Sequence, residues 1–468
     1  MLTEIHGIID TAQDWLWTYV NIGLLVGCAL FFTFRMRGIQ FRLFGDMVRQ
    51  MFRSGAAPDS SSGKKQISSF QAFIVALASR IGTGNLAGVA TAISVGGPGA
   101  IFWMWIMALL GAATAFVEST LAQLYKRRDS SGYYGGPAYY MRHGLHRRWM
   151  GVVFSVLMIL TFGFANNAMQ SNTIALACLQ AFNVPLEWMG IGLCLLTMAV
   201  IFGGIQRIAH VSSAVVPVMA VVYLLITVYV MATNITVLPD VLRLIVENAF
   251  GVSQVAGGTL GTIIMMGIKR GLFSNEAGEG SAPNAAATAS VTHPVKQGLV
   301  QSLGVFVDTL VVCSCTAFLI LCSGVDYRAS NGIQLTQNAL VAEIGTWGDY
   351  IIAVMIWLFA FSTIIANCYY GETNLLFFTK KKSALFVYRV IAALFVMGGT
   401  LMTLDFAWSM IDLCMALITI CNLVAIVLLY PKVHFLVSDF MSQRMEKRDP
   451  VFKRSQMPDI EKDLEAWD

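Results

Sequence analysis

The chain has 468 residues, of which 56% are hydrophobic and 12% charged, and its formal net charge is +4. Soluble domains carry about 25% charged residues, so too little polar material is present to cover the surfaces of two or three soluble domains. With a mean hydropathy of +0.67 and a small net charge, the composition points to a bilayer-resident chain and gives no support to nucleic-acid binding.

In chain order, eleven apolar segments read as spans: 14–34, 66–92, 98–125, 150–180, 184–205, 209–232, 253–287, 296–322, 346–378, 384–404 and 408–431. The stretch 238–250 reads as a short interfacial helix, 54–65 as a loop, and 432–468 as a charged tail without an apolar span. No basic region precedes the first apolar run, so no cleaved signal peptide is expected. The nine cysteines all lie in apolar runs, and none has metal-ligand spacing with a histidine, so they read as packing residues.

Loop charges set the expected orientation. With eleven spans and the N-terminus outside, one side receives 25 of the 31 Lys and Arg residues, and the other receives Arg243 and Arg328. The expected location is therefore the bacterial cytoplasmic (inner) membrane, multi-pass, with the C-terminus in the cytoplasm.

Two spans are broken at mid-depth. The first carries Ser79-Arg80-Ile81-Gly82-Thr83-Gly84-Asn85. The second carries the run from Arg270 through Asn275, Glu276 and Gly278 to Pro283. A lipid-facing helix must satisfy its own backbone, so such breaks are tolerated where the freed groups line a cavity or a ligand. With the first span set aside, the remaining ten divide five and five, and the broken spans are the first of each group. An odd number of spans per group inverts the second relative to the first, the arrangement of inverted repeats around a central site. The expected units are 1–65 (extra helix and loop), 66–232 (first repeat), 233–431 (second repeat) and 432–468 (tail). At such breaks, half-helix N-termini suit a carboxylate. Half-helix C-termini offer carbonyls to a cation, and hydroxyls complete a sodium shell without net charge. A zwitterionic amino acid plus sodium suits both ends.

Gly82 to Val89, the run Gly96-Gly97-Pro98-Gly99-Ala100-Ile101-Phe102-Trp103-Met104-Trp105, and Gly271 to Gly278 followed by Gly280-Ser281-Ala282-Pro283 resemble the alanine or glycine:cation symporter family, also called the sodium:alanine symporters. The resemblance runs from about residue 15 to 431. Glu279 departs from it, standing where the family leads one to expect an apolar residue. The resemblance implies an all-α LeuT-type fold with a 5+5 inverted-repeat core plus one N-terminal helix. It also implies sodium-coupled import of alanine or glycine by alternating access; some relatives handle D-alanine or glutamine. No cofactor is expected, and sodium is the coupling ion, with protons as the alternative.

On this reading the substrate carboxylate meets the N–H groups of Thr83 and Gly84. Asn85 meets sodium or the carboxylate, and Phe273, Ser274 and Asn275 face the same cavity. Gln170, which shares a helix face with Asn166, reads either as a substrate contact or as a helix–helix hydrogen bond. The resemblance places sodium between the hydroxyls of Ser362 and Thr363 and the carbonyls of Ala78 and Ile81. Arg80, Glu118, Glu276 and Asp308 are ionisable groups within spans, where they require partners or hydration. Asp308 reads as a cation ligand, a proton site or part of a buried network, with the network favoured. Arg80 and Glu276 form a candidate gate, with Lys269 and Arg270 as alternative partners of Glu276. Trp103 and Trp105 read as packing or interfacial anchors.

Competing classes fare worse. A channel needs a continuous polar pore, whereas the polar residues here are clustered. No zinc-protease, Ser/Lys or paired-Asp pattern marks a membrane enzyme, and no Gly-rich loop ends in Gly-Lys-Ser/Thr to bind ATP.

Overall fold

The computed structural model describes residues 2–53, 66–129, 132–251 and 260–467. The expected loop 54–65 and the first residues of the expected span 253–287 lie outside them.

Each apolar segment forms a helix or a broken helix. Helix α1 (His6–Arg35) is followed by α2 (Ser69–Arg80) and α3 (Gly84–Gly96). Then come α4 (Ala100–Leu124), the hairpin β1 (Arg127–Asp129) and β2 (Gly132–Tyr134), and α5 (Pro137–His143). Helices α6 (Arg148–Phe182), α7 (Leu186–Ile201), α8 (Gly204–Thr233) and α9 (Leu238–Ala249) follow. Next are α10 (Leu260–Asn275), the short α11 (Ala282–Ala286), α12 (Pro294–Cys322) and α13 (Gly332–Ile344). The last are α14 (Trp347–Leu375), α15 (Lys382–Gly399) and α16 (Leu404–Met445). Among the described residues, eight helices are long and apolar enough to cross a bilayer, or nine with α2 and α3 taken as one span bent by 48°.

The periphery is set by what the helices bury. The most apolar window of α8 is 28% buried and that of α14 is 78% buried, so α8 presents a lipid face and α14 lies in the core. Helix α12 runs along α4, α10 packs against α4 and α3, and α14 lies against α6, α8 and α2.

Local sequence explains the ends. Ser68 and Gln71 form a reciprocal capping box at the start of α2, satisfying donors that the first helical turn leaves free. Gly97 adopts φ +81°, and a side chain at Gly99 would run into the backbone of Ala249. The Gly-Gly-Pro-Gly turn before α4 thus seats the end of α9.

One expectation about the C-terminal part is corrected. The last span does not stop at 431: α16 continues through Pro431 to Met445. The charged tail folds back onto the bundle. Trp467 Nε1 donates to the carbonyls of Gln123 (3.2 Å) and Leu124 (3.1 Å) at the end of α4. Its ring and that of Tyr133 flank the Lys126 ammonium at 4.5 and 4.1 Å. Arg127–Glu465 and Lys296–Asp449, each at 2.7 Å, fasten the rest. Helix α13 has no counterpart among the expected elements. The connection between α12 and α14, which carries no apolar run, contains α13, whose Thr336 hydroxyl donates to Leu86 O at 3.1 Å.

Candidate functional site

The two breaks meet in the middle of the bundle. A Cβ at Gly84 would stand 3.0 Å from Ser274 Cα and 3.1 Å from the Phe273 ring. A Cβ at Gly82 would run into Thr363 Oγ1 and stand 2.7 Å from Gln170 Oε1. Glycine is required at both positions because the backbone is approached from two sides.

In the first break, α2 ends at Arg80, and Ile81 leaves the helical region at φ −79°, ψ 88°. Two of the freed donors find side chains. Gly82 N–H donates to Asn85 Oδ1 at 2.9 Å, and Thr83 N–H donates to Gln170 Oε1 at 2.8 Å. Gln170 Nε2 in turn donates to Asn166 Oδ1 at 2.8 Å. Gln170 therefore bonds its neighbour one turn away on α6 and ties that helix to the break.

The freed acceptors gather elsewhere. Thr363 Oγ1 lies 2.8 Å from Ala78 O, 3.3 Å from Ile81 O and 3.1 Å from Phe359 O. Ser362 Oγ lies 2.8 Å from the same Phe359 O. Five oxygens thus share one neighbourhood with two hydroxyl protons among them. The Phe359 carbonyl was not foreseen, because a backbone oxygen carries no residue identity; the adjacent hydroxyls three and four positions later were its only signal.

Asn85 ties the two breaks. Its Nδ2 donates to Asp308 Oδ1 at 2.7 Å, while its own carbonyl accepts from Thr316 at 2.6 Å. Asp308 Oδ2 accepts from Ser274 Oγ (2.7 Å) and Thr309 Oγ1 (3.0 Å), and Asn275 Nδ2 donates to Thr309 Oγ1 at 3.1 Å. Asp308 therefore sits in a hydrogen-bonded network with no ion-pair partner within reach, among the described residues. Phe273 packs edge-on against Trp408 with ring centroids 4.9 Å apart, and the Arg270 guanidinium lies over that indole at 3.8 Å.

The second break is closed by carboxyl groups. Glu276 adopts φ +56°, with Gly278 at +99° and Gly280 at +78°. Glu118, on α4, accepts Gly278 N–H (3.3 Å) and Gly280 N–H (3.1 Å), and Asn422 Nδ2 at 2.8 Å. The Glu276 carboxylate accepts from Ser79 Oγ at 2.6 Å and Ser281 Oγ at 2.5 Å, so it joins the second break to α2. The expected gate pair is corrected: among the described residues no ion pair joins Arg80 to Glu276, and Arg80 Nη1 donates to Gln301 O at 3.0 Å. Lys269 and Arg270 are not partners of Glu276 either. They converge on Asp412, at 2.8 and 2.7 Å, a residue for which α16 gave no sequence signal. The expected anchors Trp103 and Trp105 donate to Ala249 O and Ser314 Oγ.

Residues 2–454 match the model of the sodium:alanine symporter family. The chain belongs to this family. It is 48% identical to the probable sodium/glutamine symporter GlnT of Bacillus subtilis over 99% of this chain and 96% of that one. It is 49% identical to the amino-acid carrier protein AlsT of the same organism, over 100% and 99%. A sodium/proton-dependent alanine carrier protein from Bacillus sp. strain PS3 is 37% identical over 84% and 92%. Among solved structures, MhsT in complex with L-phenylalanine superposes with a TM-score of 0.52 at 12% identity, covering 79% of this chain and 99% of that one. A mutant of the Eremococcus coleocola manganese transporter gives 0.55 at 15%, covering 81% and 80%. These likenesses establish the LeuT-type fold. A member of the sodium:alanine symporter family is a secondary transporter of amino acids in a membrane and not an enzyme.

Proposed function

We propose that the protein is a sodium-coupled symporter that imports a small neutral amino acid such as alanine or glycine by alternating access. The observation that carries this reading is the oxygen cluster of Ala78, Ile81, Phe359, Ser362 and Thr363. Ala78 O and Ile81 O, freed where α2 ends, have only the Thr363 hydroxyl proton between them; a hard cation bound to all five oxygens satisfies them without adding a buried negative charge. The same ion ties the C-terminal end of α2 to α14.

The substrate sits on the other side of the first break. Thr83 and Gly84 N–H receive its carboxylate. Gln170 Oε1 holds Thr83 N–H where the carboxylate binds, so one acceptor replaces another and no donor is left buried and unpaired. Asn85 and Asn275 position the break, with Ser274 and Phe273 lining the cavity, and the ring of Trp408 narrows the space to small side chains. Asp308 joins the two breaks through Asn85 and Ser274. Residues 66–232 and 233–431 are the two repeats. The protein lies in the bacterial cytoplasmic membrane with its N-terminus outside and the basic loops and tail inside.

Two relatives favour a second reading of the cargo and ion: one is named for sodium and glutamine, another for sodium or protons with alanine. Uptake of labelled alanine, glycine and glutamine into proteoliposomes separates them. An inward sodium gradient is expected to drive alanine or glycine uptake, and a protonophore is expected to leave it largely intact. Uptake indifferent to sodium but abolished by the protonophore overturns the sodium reading.

A further inference from the structure

The second break buries more carboxylates than its single neighbouring cation balances. Glu118, Glu276 and Glu279 are each 2% exposed or less. Glu279 interacts electrostatically with both other acids and with one guanidinium, Arg80. Two of the three acids have donors suited to an ionised carboxylate. Glu118 takes two backbone N–H groups and an amide, and Glu276 takes two serine hydroxyls. Glu279 differs: its Oε1 is buried and has no hydrogen-bond partner. Arg80 does not supply one, since its Nη1 is held by Gln301 O and its Nε and Nη2 are themselves unpartnered. Other titratable groups near these acids include Asp308, which interacts electrostatically with Glu276 and with the same Arg80, and the hydroxyls of Tyr140 and Tyr370, which adjoin Glu118 and Glu276 respectively.

A third ionised carboxylate here would stand beside two others, with one guanidinium among them that Asp308 also faces, and with an oxygen that has no donor among the described residues. An uncompensated buried charge is strongly unfavourable. A proton on Glu279 removes the charge and converts the group into a donor. Glu279 also occupies the turn that must rearrange if the second break opens, so access of water to that turn changes whether the proton stays.

We propose that Glu279 is a proton-binding site: it holds a proton while the second break is closed, releases it to water when the break opens, and thereby makes the transport rate depend on pH. The step is a simple equilibrium, in which a proton passes from bath water to Glu279 Oε1 and back, with no change of oxidation state. The proposal rests on the transport reading above and adds to it a titrating group distinct from the sodium oxygens.

The test is sodium-driven alanine uptake by proteoliposomes across about pH 5.5 to 8.5, a range over which a carboxyl of perturbed acidity titrates. The wild type is expected to vary about tenfold over that range. Glu279→Gln, which keeps shape but cannot titrate, is expected to vary less than about twofold and to keep its sodium dependence. Glu279→Asp is expected to restore a pH-dependent profile with a displaced midpoint. An independent readout is the carbonyl band of a protonated carboxylic acid in the infrared spectrum at neutral pH, present in wild type and lost in Glu279→Gln. A wild-type profile that is flat, or a Glu279→Gln profile that follows the wild type, overturns the proposal while leaving sodium-driven uptake standing. Should Glu279→Gln fail to fold, absence of that band from wild type overturns the proposal by itself. Absence of sodium-driven uptake in wild type at every pH fails the transport reading instead.

Discussion

Asn85 offers the sharpest test of how the breaks are held. Its side chain does two things at once: Oδ1 accepts Gly82 N–H at 2.9 Å, and Nδ2 donates to Asp308 Oδ1 at 2.7 Å. All three residues are buried in the bundle. In Asn85→Ala both partners lose their bond. Leaving a buried donor or acceptor unsatisfied costs about 1–3 kcal/mol each, so the closed geometry weakens by about 2–6 kcal/mol. That corresponds to a fall of roughly 30-fold to 10⁴-fold in the population of the binding-competent break. The assay is labelled alanine uptake in proteoliposomes at saturating sodium, with purified protein checked for monodispersity and thermal unfolding. Uptake is expected to fall at least about 30-fold while insertion and folding persist, because the rest of α3 is held by Thr316 and Thr336 through the carbonyls of Asn85 and Leu86. Asn85→Asp is expected to be as harmful, since it places a second carboxylate against Asp308. Near-normal uptake by Asn85→Ala would refute the reasoning, because two buried groups would then have been orphaned without consequence.

Other outcomes follow from the same geometry. Thr363→Ala removes one of five oxygens and is expected to raise the sodium concentration for half-maximal uptake about tenfold, the equivalent of about 1.4 kcal/mol; Thr363→Ser, which restores the hydroxyl, is expected to return it close to wild type. An unchanged sodium dependence in Thr363→Ala would remove that hydroxyl from the ion site. At the basic face, burial and then the neighbouring Arg127 and Arg142 push the His143 imidazole down to about 4, against the opposing pull of Asp463. A group whose folded value is depressed favours the fold above its unfolded value, about 6.5, and that contribution is lost as pH falls towards 4. The thermal midpoint is therefore expected to fall between about pH 6.5 and 4, and His143→Gln is expected to shrink that fall. An undiminished fall in His143→Gln would assign it elsewhere.

Much of this molecule is legible in the chain because the bilayer imposes simple rules. Apolar runs long enough to span must be helices, and within the described residues each run read from the sequence coincides with a helix or a broken pair. The breaks are legible for the same reason: Gly82-Thr83-Gly84-Asn85 and Gly271 to Gly280 put glycine and amide groups where an unbroken helix would put neither. What stays hidden depends on long-range partners. Glu118 sits 160 residues from the turn whose amides it caps, and nothing in its own segment signals that task. Lys269 and Arg270 lie close to Glu276 in sequence, yet they bond Asp412, because α10 carries them towards α16 before the chain turns back. The tail reads as charged and without a span, but Trp467 reaches back to the carbonyls of Gln123 and Leu124 at the end of α4.

The two breaks differ in a way that assigns them different work. The first is held by neutral groups, an asparagine and a glutamine amide, whose hydrogen bonds contribute about 0.5–1.5 kcal/mol each. The second is held by carboxylates, Glu118 on two N–H groups and Glu276 on two hydroxyls, and bonds to charged groups contribute about 1.5–3 kcal/mol each. Exchange of partners is cheaper at the first break, where a substrate carboxylate can replace Gln170 Oε1 and a cation can replace shared hydroxyl protons. The second break resists such exchange unless the charge on one of its acids changes. Ser79 Oγ, which lies one residue from Ala78 and 2.6 Å from the Glu276 carboxylate, is a direct link between the two. On the proposed reading, an ion that draws in the Ala78 carbonyl would also act on the hydroxyl beside it, and through that hydroxyl on the Glu276 carboxyl of the second break.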